Sequence, residues 1–148
     1  MAIDREGKRR WVRIDGEAGR PSGDDRDRGV DVAATASRVL YGVIVDRKTG
    51  PSVARVVLLK PDGAVRWTVG FPTSHGYHAR LVVALGGRGT AFVAYSRIGG
   101  DVVLRRLGAG GATTWRTTIV RRAPLIDLAA GDRGLSLLQG QRLTRFAA

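Results

Sequence analysis

Both histidines of the chain lie in one stretch, Gly70–His78, which also contains glycine, proline and serine. His75 and His78 could ligate a metal or contact an anion, and Tyr77 between them could donate a hydrogen bond. The sequence identifies no third or fourth metal ligand, so an ordinary solvated loop is favoured over a metal site. His75, Tyr77 and His78 are therefore candidate binding residues, and we expect neither a metal nor any other cofactor.

Carboxylates are concentrated near the N-terminus, in the stretch Gly23–Asp31. A calcium loop needs oxygen ligands at regular spacing and a glycine at its turn. Asp25 and Asp27 alternate, but Gly29 occupies the next ligand position and no glutamate closes the loop. The segment 16–29 is therefore predicted to be a mobile loop of mixed charge that binds no calcium.

Several classes of enzyme lack their essential residues in this chain. There is no cysteine, and no glutamate follows Glu17, which excludes cysteine nucleophiles and leaves paired glutamates for glycoside hydrolysis unsupported. No segment resembles a nucleophile elbow. The sequence therefore predicts a protein that is not an enzyme.

The chain carries a net charge of +12, and 22 of its 25 basic residues are arginine. Residues 1–31 hold equal numbers of acids and bases, so residues 32–148 carry the whole excess. A basic body attracts polyanions in a salt-dependent way. The arginines are scattered apart from short pairs, which are candidate binding residues: Arg105, Arg106, Arg121 and Arg122.

The elements that must position these residues follow an internal repeat. Each of the three tryptophans has a glycine four residues before it, as Gly7 and Trp11, Gly63 and Trp67, and Gly111 and Trp115. Short apolar or alternating segments separated by turn residues surround them, which indicates strands rather than helices. We predict units at 30–71, 79–120 and 125–148, with a closing strand in 1–15. The first two units have four strands each, and the last lacks its fourth.

The Gly-x-x-x-Trp pattern after an apolar strand resembles the bacterial β-propeller repeat and the related quinoprotein-like repeats. The resemblance implies an all-β fold of about three propeller-type blades, each of four antiparallel strands, with the N-terminal strand completing the last blade. It also implies structural roles for these residues: the glycine turns the chain between the last two strands of a blade, and the tryptophan docks against the neighbouring blade, where it is expected to be largely buried. Quinone binding does not carry over, because the adjacent cysteines and the asparagines of those sites are missing.

These observations predict a binding or scaffolding protein that acts through another protein or through self-association. Binding of nucleic acid or an acidic glycan by the arginine-rich surface is the alternative. No membrane partner is expected, because no apolar run is long enough to span a bilayer, and Met1–Arg10 does not resemble a signal peptide. The strand Gly7–Ile14 is predicted to pair with Arg142–Phe146, in the same chain or in a second copy, and a homodimer is favoured.

Overall fold

The computed structural model of the chain describes residues 2–3, 9–11, 27–46, 50–74, 79–97, 99–119, 125–131 and 134–147. Strands dominate these residues and form three antiparallel sheets and a separate hairpin. The predicted all-β class is confirmed. The described part of the chain contains no helix that is long and apolar enough to cross a membrane.

Each sheet is a meander, in which every strand pairs with the next one along the chain. The first sheet contains β3 (Asp27–Thr35), β4 (Arg38–Val45), β5 (Ser52–Leu59) and β6 (Val65–Thr73). The second contains β7 (Leu81–Leu85), β8 (Ala91–Ser96), β9 (Val102–Leu107) and β10 (Thr113–Ile119). The third contains β11 (Leu125–Gly131), β12 (Gly134–Gln139) and β13 (Arg142–Phe146). The N-terminal hairpin contains β1 (Ala2–Ile3) and β2 (Arg9–Trp11).

The second sheet lies between the other two and is buried on both faces. Alternate residues of a strand point to opposite faces. Leu81 and Val83 accordingly pack toward the first sheet, in a core that includes Leu40 and Leu58. Val82 and Ala84 belong to a second core with residues of the third sheet. Burial on two faces explains why the segment Leu81–Leu85 is continuously apolar rather than alternating.

The first strands of successive sheets lie against each other, so β7 contacts both β3 and β11. Asp31 of β3 reinforces one of these contacts, because its Oδ2 accepts a hydrogen bond of 2.7 Å from the Val83 amide of β7. The described residues do not close into a barrel or a propeller. Instead, they form three packed sheets of four, four and three strands.

The prediction of a loop over 16–29 is wrong at its C-terminal end, because β3 begins at Asp27. Its first residues pair with the apolar end of β4, with Asp27 opposite Val45 and Arg28 opposite Ile44. Charged residues and glycine are poor strand formers in isolation, but a long neighbouring strand offers them a hydrogen-bonding ladder. Residues 16–26 lie outside the described part of the chain.

Candidate functional site

Trp67 shows how one sheet docks on the next. Its side chain is only 8% exposed, although it lies on the outermost strand of the first sheet. The indole Nε1 donates a hydrogen bond of 3.0 Å to the carbonyl oxygen of Ala109, in the turn between β9 and β10. A Cβ atom on Gly111 in the same turn would lie 3.0 Å from Trp67 Cδ2, so glycine permits the close approach.

The glycines before Trp67 and Trp115 occupy equivalent turns. Gly63 and Gly111 have φ of 84° and 87°, a conformation that residues with a Cβ rarely adopt. Each donates its amide to the carbonyl three residues earlier, that of Lys60 for Gly63 and that of Gly108 for Gly111. The glycine of the repeat therefore forms the hairpin turn.

Trp115 was expected to be buried like Trp67, and this prediction is wrong. Its side chain is 40% exposed, and its aromatic contact is an edge-on one with Phe146 of β13, with ring centroids 6.1 Å apart. Trp67 is covered by a turn that joins the third and fourth strands of the next sheet. The third sheet has no fourth strand among the described residues, so no equivalent turn covers Trp115 there.

An open groove of about 760 Å³ lies beside Trp115, between the second and third sheets. We call it the Trp115 groove. Glycine residues form part of its wall, and its larger lining residues are Phe92, Arg106, Thr114, Trp115, Leu135 and Phe146. Aromatic and aliphatic side chains beside one guanidinium suit a polypeptide segment with apolar or aromatic groups.

The outer edge of β13 adjoins this groove and has no strand partner among the described residues. In the complete sheets, the third strand pairs on both sides, as β5 does with β4 and β6. β13 pairs only with β12. Leu143 on this strand is 55% exposed, and both arginines of β13 are exposed as well. An edge of this kind is a template for an added strand.

The predicted pairing of Gly7–Ile14 with Arg142–Phe146 does not occur within the described chain. β2 pairs with β1 instead, with Trp11 opposite Ala2 and Arg9 opposite Ile3. This alternative is available because Ala2 and Ile3 stand at the same distance before Trp11 as Leu58 and Leu59 do before Trp67. The same-chain form of the prediction is wrong for the described residues, and the form between two copies stays a prediction.

The structure separates the two arginines of the pair Arg105 and Arg106. The Arg105 guanidinium lies 4.4 Å from the ring centroid of Phe71, and its Nε donates a hydrogen bond of 3.0 Å to Tyr95 Oη. The rings of Phe71 and Tyr95 stack across the first and second sheets, with centroids 5.4 Å apart. Arg105 is therefore engaged in a contact between sheets, whereas Arg106 is exposed and lines the Trp115 groove.

The other predicted binding residues, His75, Tyr77, His78, Arg121 and Arg122, lie outside the described part of the chain, as does Gly7. The structure does describe the start of the histidine-containing loop. Thr73 is buried there and donates a hydrogen bond of 2.6 Å to the carbonyl of Ser96. Among the residues with described positions, no group of three or more histidine, cysteine or acidic side chains could hold a metal ion.

Sequence reasoning missed the apolar residues that line the groove, above all Phe146 and Leu135. Phe146 and Leu135 reach the groove beside Trp115 only through the way the second and third sheets stack, which is visible only in three dimensions. In comparisons with known proteins, the sequence matches no protein-family model, and no curated protein shows significant similarity to it.

Proposed function

We propose that this chain is a non-catalytic, propeller-like repeat protein that binds a polypeptide strand along β13. One observation carries the proposal: among the described strands, β13 presents an unpaired edge beside a tryptophan that is 40% exposed, whereas the equivalent tryptophan of the first sheet is covered. An added strand supplies main-chain hydrogen bonds, and the adjoining groove supplies contacts for its side chains. Tryptophan is among the residues that contribute most to binding between proteins.

The other outer edges of the sheets are less suitable for strand addition. β6 carries Pro72, which has no backbone N–H to offer a neighbouring strand. β10 already occupies the fourth position of its sheet, as β6 does in the first sheet. β13 occupies the third position, which has a strand on each side in both complete sheets. The repeat itself therefore favours β13 as the acceptor.

Amide hydrogen exchange at two protein concentrations, with and without candidate partner peptides, tests this proposal for a strand from a second copy and for a strand from another molecule. We expect the outward-facing amides of β13 to exchange more slowly at the higher concentration, because a new ladder would protect them. The amides of β6 serve as an internal control, since that strand is also at an edge, and their exchange rates should stay the same. Equal exchange of β13 at both concentrations, in the presence and absence of candidate partners, would contradict the proposal.

Polyanion binding is a second candidate function, favoured by the distribution of charge on the surface. Seven arginines of the described body are exposed, against two aspartates, Asp62 and Asp127. Counterion release makes such binding fall steeply with salt. Retention on a heparin column until high salt, unchanged by Trp115→Ala, would support this activity and separate it from strand binding in the Trp115 groove.

A further inference from the structure

The partner of β13 can be identified from the hairpins of the chain itself. We propose that β2 of a second copy pairs antiparallel with β13, with Trp11 of one copy opposite Arg145 of the other and Arg9 opposite Phe146. The inference rests on the proposed function, because it names the strand that the open edge binds. A reciprocal exchange between two copies gives each third sheet its fourth strand.

The three hairpins that end in Gly-x-x-x-Trp strands share one register. Trp67 pairs with Leu58 and Trp115 with Arg106, in each case nine residues earlier in the chain. Trp11 pairs with Ala2, which is also nine residues earlier. In all three, the pairing shifts by one residue just before the tryptophan. β2 therefore has the backbone pattern of a fourth strand, although it belongs to no four-stranded sheet.

β13 matches the third strand that such a fourth strand pairs with. Phe146 lies opposite Leu135 of β12, as Leu107 lies opposite Ala91 in the second sheet. Arg145 is then the counterpart of Arg106, the residue opposite Trp115. Extending the shared register to β13 places Trp11 opposite Arg145, which reproduces an arginine–tryptophan pair that the second sheet already contains.

Electrostatics disfavours one of the two neighbouring registers. A slip of one residue that moved Trp11 opposite Thr144 would bring Arg9 opposite Arg145. Like charges directly opposite each other in a sheet are unfavourable. In the proposed register, Arg9 faces Phe146 and Trp11 faces Arg145, while Arg10 takes the shifted position that Thr114 has beside Trp115 in the second sheet.

The exchange attaches β2 to a larger sheet. Within one chain, β2 pairs with only two residues, Ala2 and Ile3. A two-stranded hairpin is marginally stable in water by itself. β13, in contrast, belongs to a sheet that already has three strands.

A second copy suits the geometry better than closure within one chain. Propellers with closed rings contain about four to eight blades, and the described residues of one chain form three sheets of three or four strands. In the described chain, those three sheets do not form a ring, and β2 stays paired with β1. Exchange between two copies gives each third sheet a fourth strand and does not require the three sheets to form a ring.

Disulfide trapping tests this register directly, because the natural sequence contains no cysteine. The full-length Arg9→Cys variant, with an affinity tag, is mixed with untagged Phe146→Cys and oxidised mildly. A disulfide between the two variants can form only between copies. The matched control replaces Phe146→Cys by Thr144→Cys, which lies on the same strand but out of register. We expect a cross-linked heterodimer from the first mixture and at least about tenfold less from the control, since disulfides need Cβ atoms about 4 Å apart.

The other outcomes distinguish this inference from the function on which it rests. Equal yields from the two mixtures, or no cross-link while β13 amides still become protected at high concentration, would overturn the register but leave strand binding intact. A double variant, Arg9→Cys with Phe146→Cys, that cross-links only within single chains would overturn exchange between copies. Concentration-independent amide exchange in β13, with no cross-link in any mixture, would overturn both.

Discussion

Trp67 and Trp115 hold the same position in their hairpins but have different surroundings. Trp67 donates its indole N–H to Ala109 and is almost fully buried, whereas Trp115 contacts Phe146 edge-on and remains partly exposed. The difference comes from the neighbouring sheet and not from the hairpin. At the residue scale, the first tryptophan stabilises the fold, and the second is available for a partner.

Replacing each tryptophan with alanine should separate these two roles. For Trp67→Ala we expect the free energy of unfolding to fall by about 3–5 kcal/mol, the usual cost of deleting a large buried aromatic residue. For Trp115→Ala the loss should stay below about 2 kcal/mol, because its ring is already partly hydrated. Urea denaturation followed by circular dichroism, below the association concentration, measures both. Equal losses for the two variants would contradict the assignment.

Gly111 should tolerate a methyl group less well than another glycine of similar conformation. Gly111 and Gly50 have φ of 87° and 81°, so alanine at either position is strained by about 1–2 kcal/mol. A Cβ on Gly111 would also press on the Trp67 ring, whereas a Cβ on Gly50 would meet nothing within 4 Å. Gly111→Ala should therefore lower the free energy of unfolding by at least about 1 kcal/mol more than Gly50→Ala. Equal unfolding midpoints for the two variants would show that crowding of the Trp67 ring does not affect stability.

The sequence predicted the glycine turn correctly at Gly63 and Gly111 because that turn is local and needs φ > 0. The predicted burial of Trp115 is wrong because burial depends on which sheet packs over its indole ring. The role of Arg105 was also hidden, since its contact with Phe71 joins residues 34 positions apart in the sequence.

At the scale of elements, one hairpin recurs three times with the same register. β5–β6 and β9–β10 are parts of complete sheets, whereas β1–β2 stands alone as a two-stranded sheet. The repeated glycine and tryptophan identified β5–β6 and β9–β10 in the sequence, whereas β1 and its pairing with β2 were not predicted. The start of β3 escaped prediction, because Asp27, Arg28 and Gly29 join the ladder only through the pairing that β4 provides.

Removing a hydrogen bond between two sheets should lower the free energy of unfolding more than removing a similar hydrogen bond within a turn. Asp31 accepts a hydrogen bond from the Val83 amide on another sheet, and Asp62 accepts one of 2.9 Å from Ala64 in its own exposed turn. Asp31→Ala leaves a partly buried amide of β7 unpaired and should cost about 1–3 kcal/mol of unfolding free energy. Asp62→Ala, the matched control, should cost less than about 1 kcal/mol. Thermal or urea unfolding compares them, and an equal or larger effect at Asp62 would contradict a stabilising link between β3 and β7.

At the scale of the whole molecule, the second sheet is sandwiched and the third sheet has an open side. The spare hairpin at one end of the chain and the incomplete sheet at the other have matching patterns. The sequence predicted that these two ends belong together. It could not show whether the pairing occurs within one chain, because that depends on whether three packed sheets close, and in the described structure they do not.

Molar mass in solution tests this account most directly. Light scattering at micromolar concentration should give the full chain twice the 15.8 kDa of one copy. Deleting residues 1–14 removes the donor strand and should give monomers, while Trp115→Ala should weaken the dimer by about tenfold or more. The circular dichroism spectrum should confirm that the shortened chain keeps its sheets. A full-length monomer throughout this concentration range, or a dimer unaffected by the deletion, would contradict strand exchange between two copies.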